Sequence, residues 1–233
     1  MYSREELALV PRTALDLARG CGNPTGFANI HDGETVVDFG CGGGIDVILA
    51  AKKAGVRGKV IGIDFSPQMI EKAGRTVSAA GLEDRIELYA ADISATRLSS
   101  NHADVIISNC VINLCPDKDA VYNEAFRVLR PGGRIAISDI VLTEAIFPEF
   151  RARLRSTWSG GLGGTVFEED YWRTVGNAGF TDIKIVAKYV FSPEELKAIA
   201  LCPGREFTPP VSTADIAAVT GKVASVKFTA VKG

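Results

Sequence analysis

The sequence predicts a doubly wound α/β domain: a mostly parallel sheet with helices on both faces. Two observations carry this. From Thr35 onward, short and nearly continuous runs rich in valine and isoleucine alternate with amphipathic stretches of helical period, the pattern of strands buried on both faces and crossed over by helices. The first run is followed at once by Gly40-Cys41-Gly42-Gly43-Gly44, a turn of the kind that joins the first strand of such a domain to its first helix.

In chain order, residues 4–19 read as an amphipathic helix leading into Gly20-Cys21-Gly22-Asn23-Pro24. Strands follow at Thr35–Phe39, Lys59–Asp64, Ile86–Ala90, Ala103–Asn109 and residues 134–140, with helices near residues 45–54, 67–80 and 119–129. Ser66-Pro67 supplies a capping hydroxyl before a proline at the first helical position, and Arg130-Pro131-Gly132-Gly133 stops the third of these helices. Residues 143–165 fit no strand. Their arginines, Trp158 and four glycines suggest a helix followed by a flexible turn, as in a lid or substrate loop. A helix at 168–178 precedes strands at 181–190 and 224–232, the last alternating like an edge or hairpin strand. These two strands are expected to complete a seven-stranded sheet. Residues 1–142 would form the ligand-binding domain with its N-terminal helix, and residues 143–233 the lid, last helix and closing strands.

Composition narrows the function classes. The chain is 46% hydrophobic and 23% charged, ordinary for a globular protein. The formal net charge is -2 and the basic residues are scattered, so there is no footprint for a nucleic-acid partner. No stretch approaches the roughly 18 apolar residues of a membrane span, and Arg4, Glu5 and Glu6 stand where a signal peptide would be apolar. The expectation is a cytoplasmic protein without a membrane partner. Five cysteines, at positions 21, 41, 110, 115 and 202, are odd in number and include no C-x₂-C pair. They suggest reduced thiols rather than a disulfide framework or a structural zinc site.

The glycine turn follows Asp38 and lets the backbone approach a ligand closely, because no Cβ intervenes. Dinucleotide-binding proteins share such a turn, so its surroundings decide. Asp64 ends the second strand about 20 residues on, where a carboxylate can accept from both hydroxyls of a ribose. Asp92-Ile93 follows the third strand, where the carboxylate can accept from an adenine amine while Ile93 lies on the ring and Met69 covers its other side. Taken singly, Asp64 and Asp92 could equally be solvated strand-end carboxylates.

The combination resembles the class I methyltransferases, over roughly residues 33–140. Asp38-Phe39-Gly40-Cys41-Gly42 is similar to their D-x-G-x-G motif, and Leu129-Arg130-Pro131-Gly132-Gly133 to their LkPGG turn. The resemblance implies a Rossmann-like fold and S-adenosyl-L-methionine as cofactor. Asp38, Gly40, Cys41, Gly42, Asp64, Phe65, Met69, Asp92, Ile93 and Asn109 are then the expected cofactor contacts.

Two further segments resemble the arsenite methyltransferases: Gly20-Cys21-Gly22-Asn23-Pro24, and the run from Ser108 to Lys118 that contains Asn109-Cys110-Val111-Ile112-Asn113-Leu114-Cys115. Relatives commonly carry serine in place of Cys115. The resemblance implies that Cys21 and Cys110 hold trivalent arsenic as thiolates, soft ligands for a thiophilic centre. An arsenic lone pair needs no general base, in keeping with the absence of a histidine or carboxylate at a catalytic spacing. His31 and His102 read as loop residues, Trp158 and Trp172 as packing residues, and Cys41 as a small side chain beneath the cofactor. The family's third cysteine lies in a motif resembling W-x-x-C-x-G-G-A-L. Here the segment is Trp158-Ser159-Gly160-Gly161-Leu162-Gly163-Gly164-Thr165-Val166, with Gly161 in the cysteine's place. The departure points to methylarsenite as substrate, or to arsenite with Cys202 or a small thiol as third ligand. It implies arsenic detoxification, with a small thiol or thioredoxin-type reductant as partner.

From the residues alone Cys110 also reads as a small core side chain. A methyltransferase of another small molecule, and a non-catalytic cofactor- or metalloid-binding sensor, stay open beside the arsenical reading.

Overall fold

The computed structural model describes residues 2–15, 22–146, 164–200 and 212–233. Cys21, Cys202, Trp158 and Gly161, and most of the segment read above as a lid, lie outside them.

One seven-stranded sheet organises these residues, with strands β1 (Thr35–Phe39), β2 (Lys59–Asp64), β3 (Ile86–Ala90), β4 (Ala103–Asn109), β5 (Leu129–Leu142), β6 (Phe180–Val190) and β7 (Val223–Lys232) in the spatial order 3-2-1-4-5-7-6. β1 to β5 are parallel, and β7 runs antiparallel between β5 and β6. Helices α3 (Ile45–Lys53) and α4 (Pro67–Ala79) pack against one face, while α5 (Lys118–Val128) and α6 (Glu168–Asn177) pack against the other. Alternate strand residues divide between the two cores: Val36, Val60, Val105 and Ile107 face α3, and Val37, Phe39, Ile61 and Ile106 face α5. A third apolar cluster joins the ends of β5 and β7 to Ile146 and to Leu196 and Val219 on two later helices, α7 (Pro193–Ala200) and α8 (Thr213–Val219).

Three expectations are corrected. The N-terminal helix is broken into α1 (Arg4–Ala8) and α2 (Arg12–Leu15), since Pro11 has no N–H to continue the first helix. β5 begins at Leu129, with a register shift between the pairs Ala103↔Leu129 and Val105↔Arg134, so the Pro-Gly-Gly turn is absorbed as a bulge. β7 is an interior strand, and β3 and β6 are the edges. Alternation in a sequence reports one well-buried face and not whether a neighbour pairs on each side. Ser66 caps α4 as expected, its hydroxyl accepting from the Met69 N–H.

Candidate active site

Among the described residues, the strands that carry or precede expected site residues end at one edge of the parallel sheet, where this fold binds ligands. Asp38 comes from β1, the glycine turn joins β1 to α3, Asp64 ends β2, Asp92 follows β3, and Asn109-Cys110 ends β4.

The turn is held open for a ligand. Gly40 and Cys41 both donate backbone N–H bonds to the Ile63 carbonyl at 2.8 Å, and the Gly42 N–H donates to Asp64 Oδ2 at 3.0 Å. Asp64 Oδ1 accepts from the Ser66 N–H at 2.9 Å, so the carboxylate is oriented by the turn on one side and by the start of α4 on the other. Gly40 has φ +85°, and a Cβ there would lie 2.3 Å from Val111 Cγ2. Only glycine permits the residue after Cys110 to pack onto the turn. Met69 Cε comes within 3.8 Å of where a Cβ on Gly42 would stand, so its side chain lies beside the turn. Cys41 is buried, its Sγ over Gly62, and burial pushes its thiol up, with Asp38 and Asp64 adding to the effect. It packs under the turn as an inert thiol.

Asp38 is 1% exposed, and neither of its carboxylate oxygens has a hydrogen-bond partner. Burial first, then the charges of Asp46 and Asp64, push its carboxyl well above the usual range. An orphaned buried carboxylate beside a glycine cradle calls for a cation bearing N–H donors. S-adenosylmethionine carries an ammonium and a sulfonium, so these residues fit it. Asp92 is exposed, with Oδ1 accepting from the Ser94 N–H and hydroxyl at 2.8 Å and the rest of the carboxylate facing outward. Ile93 turns into the core, and Phe65 stands 79% exposed beside the turn.

Asn109 has a structural task that periodicity and motif did not reveal. Its Oδ1 accepts from the Gly22 N–H at 3.0 Å, and its Nδ2 lies 3.1 Å from the Gly22 carbonyl, 3.1 Å from Asp46 Oδ2 and 3.0 Å from the Tyr2 hydroxyl. A Cβ on Gly22 would meet Ser138 Oγ at 2.0 Å, so the backbone at this position lies against β5. The arm beyond Gly22 is fastened as well. Asn23 donates to Glu6 Oε2 at 2.8 Å, and Lys53 donates to the Thr25 carbonyl at 2.8 Å and to Glu6 at 3.2 Å. The residue after Cys21 is thereby clamped to the residue before Cys110.

Cys110 adopts φ +60°, rare for a residue with a side chain, and its N–H donates to the Ser138 carbonyl at 2.8 Å. Its side chain packs against the third apolar cluster. The expectation of reduced thiols fails for it: Cys110 is disulfide-bonded, whereas Cys41 and Cys115 are free, so its partner sulfur lies outside the described residues. Sequence spacing cannot show such pairing, because the fold brings together segments that are distant in the chain. Burial pushes the Cys115 thiol up to about 11, which leaves it protonated and a poor ligand. Gly164 marks where the chain returns from the Trp158 segment. A Cβ there would stand 1.7 Å from the Asn113 carbonyl, so that segment ends against the turn that follows Cys110.

The sequence also missed a buried polar network behind this turn. Tyr122 donates to Tyr171 Oη (2.7 Å), Tyr171 donates to Asp139 Oδ2 (3.0 Å), and Asn113 donates to Asp139 Oδ1 (2.8 Å). The signal available in the sequence was Asp139, the one acidic residue in the mostly apolar run from Ile135 to Leu142.

Fold order, glycine turn and strand-end carboxylates define a nucleoside-cofactor transferase, and the comparisons agree. The chain belongs to the S-adenosylmethionine-dependent methyltransferases: the family model described as a methyltransferase domain matches residues 30–175. Within that family it is similar to the arsenite methyltransferases. It is 41% identical to that of Halobacterium salinarum over 187 residues, covering 80% of this chain and 47% of the relative. It is 34% identical to that of Aquipseudomonas alcaligenes over 66% of this chain and 46% of the relative. The crystal structure of an arsenic(III) S-adenosylmethionine methyltransferase from Chlamydomonas reinhardtii superposes with a TM-score of 0.78 at 28% identity, covering 98% of this chain and 72% of that one. The chain thus spans about half the length of the curated relatives it matches. Among the described residues no helix is long and apolar enough to cross a membrane.

Proposed function

We propose that this chain transfers a methyl group from S-adenosylmethionine to trivalent arsenic held by the thiolates of Cys21 and Cys110, a detoxifying reaction. One observation carries the reading: Asn109, beside Cys110, holds Gly22, the residue that follows Cys21, by two hydrogen bonds, which supports the two cysteines acting together. The similarity to arsenite methyltransferases supports the substrate.

The cofactor supplies an electrophilic methyl on a good leaving group. Asp38 would hold its ammonium, Asp64 its ribose and Asp92 its adenine amine, with Met69 over the turn. The protein then needs to hold arsenic still with its lone pair toward that methyl, and to keep water away, so that positioning provides most of the acceleration. Cys110 must first be freed. Two thiols, from one thioredoxin-type dithiol or from two small-thiol molecules, give two electrons and two protons to the disulfide and leave joined as a disulfide themselves. Two cysteine thiols then displace two hydroxyls from methylarsenite, releasing two waters. With glycine at position 161, arsenite would need a third sulfur. Cys202 or an external thiol would take that role.

The test is to incubate the reduced protein with S-adenosylmethionine and glutathione plus either arsenite or methylarsenite, and to resolve the arsenic species by chromatography with mass detection. Dimethylated product should form faster from methylarsenite than methylated product from arsenite. If neither arsenical consumes cofactor, the arsenical reading fails and a methyltransferase of another small molecule remains.

A further inference from the structure

Among the described residues no basic side chain hydrogen-bonds the carboxylates around the glycine turn, although the charge of Lys53 reaches Asp46. Asp38 Oδ1 and Oδ2 and Asp46 Oδ1 are buried without a partner. Asp64 faces them from β2 and Glu6 approaches from α1, both negative; Lys53, at the far end of α3, gives its hydrogen bonds to Glu6 and Thr25. The other oxygen of Asp46 is a junction. Tyr2 donates to Asp46 Oδ2 at 2.8 Å, and Asn109 Nδ2, at 3.1 Å from the same oxygen, also reaches Tyr2 and the Gly22 carbonyl. One carboxylate therefore joins the helix of the cofactor turn, the N-terminal strap and the arm that leads back to Cys21.

We propose that Tyr2, Asp46 and Asn109 form a charge-operated latch, in which a cation bound against Asp38 and Asp46 tightens the hold on the Gly22 arm, so that the cofactor assembles the substrate site before substrate arrives. Without the cation, two buried carboxylates repel each other and favour protonation, and burial pushes Asp46 up to about 6. With it, Asp46 stays ionised, and its hydrogen bonds from Tyr2 and Asn109 become charge-assisted, roughly twice as strong as neutral ones. Coupling of this kind is reciprocal, so a tightened arm favours cofactor binding by the same factor. Tyr2 is a positioning residue that touches neither cofactor nor substrate.

The latch rests on the S-adenosylmethionine reading but not on arsenic. Hydrogen exchange followed by mass spectrometry, on the whole reduced protein, reads the Gly22 amide in overlapping peptides that begin at or before residue 19 and end by residue 30. In the wild type S-adenosylmethionine should slow exchange by about fivefold or more, in the usual range of such couplings. Adenosine, which lacks both cationic groups, should not. In Tyr2→Phe, which keeps the ring and loses the hydroxyl, the effect should fall below about twofold although calorimetry shows the cofactor still bound. Equal slowing in Tyr2→Phe, equal slowing by adenosine, or no slowing in a wild type that binds cofactor would overturn the latch. A wild type that binds no cofactor sinks the underlying reading instead, and arsenical turnover is scored separately.

Discussion

Gly22 and Asn109 are joined by two hydrogen bonds in opposite senses, the Gly22 N–H to Asn109 Oδ1 at 3.0 Å and Asn109 Nδ2 to the Gly22 carbonyl at 3.1 Å. They are 87 residues apart in the chain, yet each neighbours one of the two cysteines proposed as arsenic ligands.

Asn109→Ala removes both bonds and leaves the Gly22 amide without its partner, at a cost of about 1–3 kcal/mol. The expected outcome is an arsenical KM raised by about thirtyfold, the equivalent of the middle of that range. Steady-state kinetics against methylarsenite checks it; an unchanged KM would mean that the clamp plays no part in substrate binding.

Cys110→Ser keeps shape and loses the soft ligand. Arsenical turnover should fall by about 100-fold or more, since even outer-sphere changes at such centres cost 10–100-fold, while calorimetry finds cofactor affinity nearly unchanged. Loss of both together would make Cys110 a structural residue only.

Gly40→Ala places a Cβ 2.3 Å from Val111 at a backbone φ of +85°. The clash and the left-handed backbone together should cost about 2–4 kcal/mol of stability, measured by urea unfolding. Val111→Ala in the same chain should restore part of the loss, whereas no recovery would show that the strain is wholly in the backbone.

Asp139 is fully buried, and burial pushes its carboxyl up to about 6 from 3.8, against the hydrogen bonds of Ile140 and Tyr171 that pull it down. A folded pKa above the unfolded one means that the native state holds the extra proton between the two. Its contribution is therefore fully present below pH ~4 and is lost as pH rises through ~6. The total is about 3 kcal/mol, at 1.36 kcal/mol per pH unit. Urea unfolding of wild type and Asp139→Asn at pH 4, 5, 6 and 7 should show the wild type losing roughly this much relative to the variant. A difference that does not change with pH would refute the assignment.

Seven strands, both cofactor-side helices and the glycine turn were legible in the sequence because burial writes itself as apolar periodicity, and because a tight turn against a ligand demands glycine at particular positions. The positions of Asp38 and Asp64 at strand ends were legible for the same reason, since the pattern fixes where each strand stops. Tertiary structure alone decided the rest. The disulfide of Cys110, the hold of Asn109 on Gly22, the junction at Asp46 and the Tyr122–Tyr171–Asp139 chain all join residues whose separation in sequence carries no signal, since they depend on where the folded backbone brings polar groups together out of water. The interior place of β7 belongs with them, because strand order is set by how whole faces pack and not by the alternation within one strand.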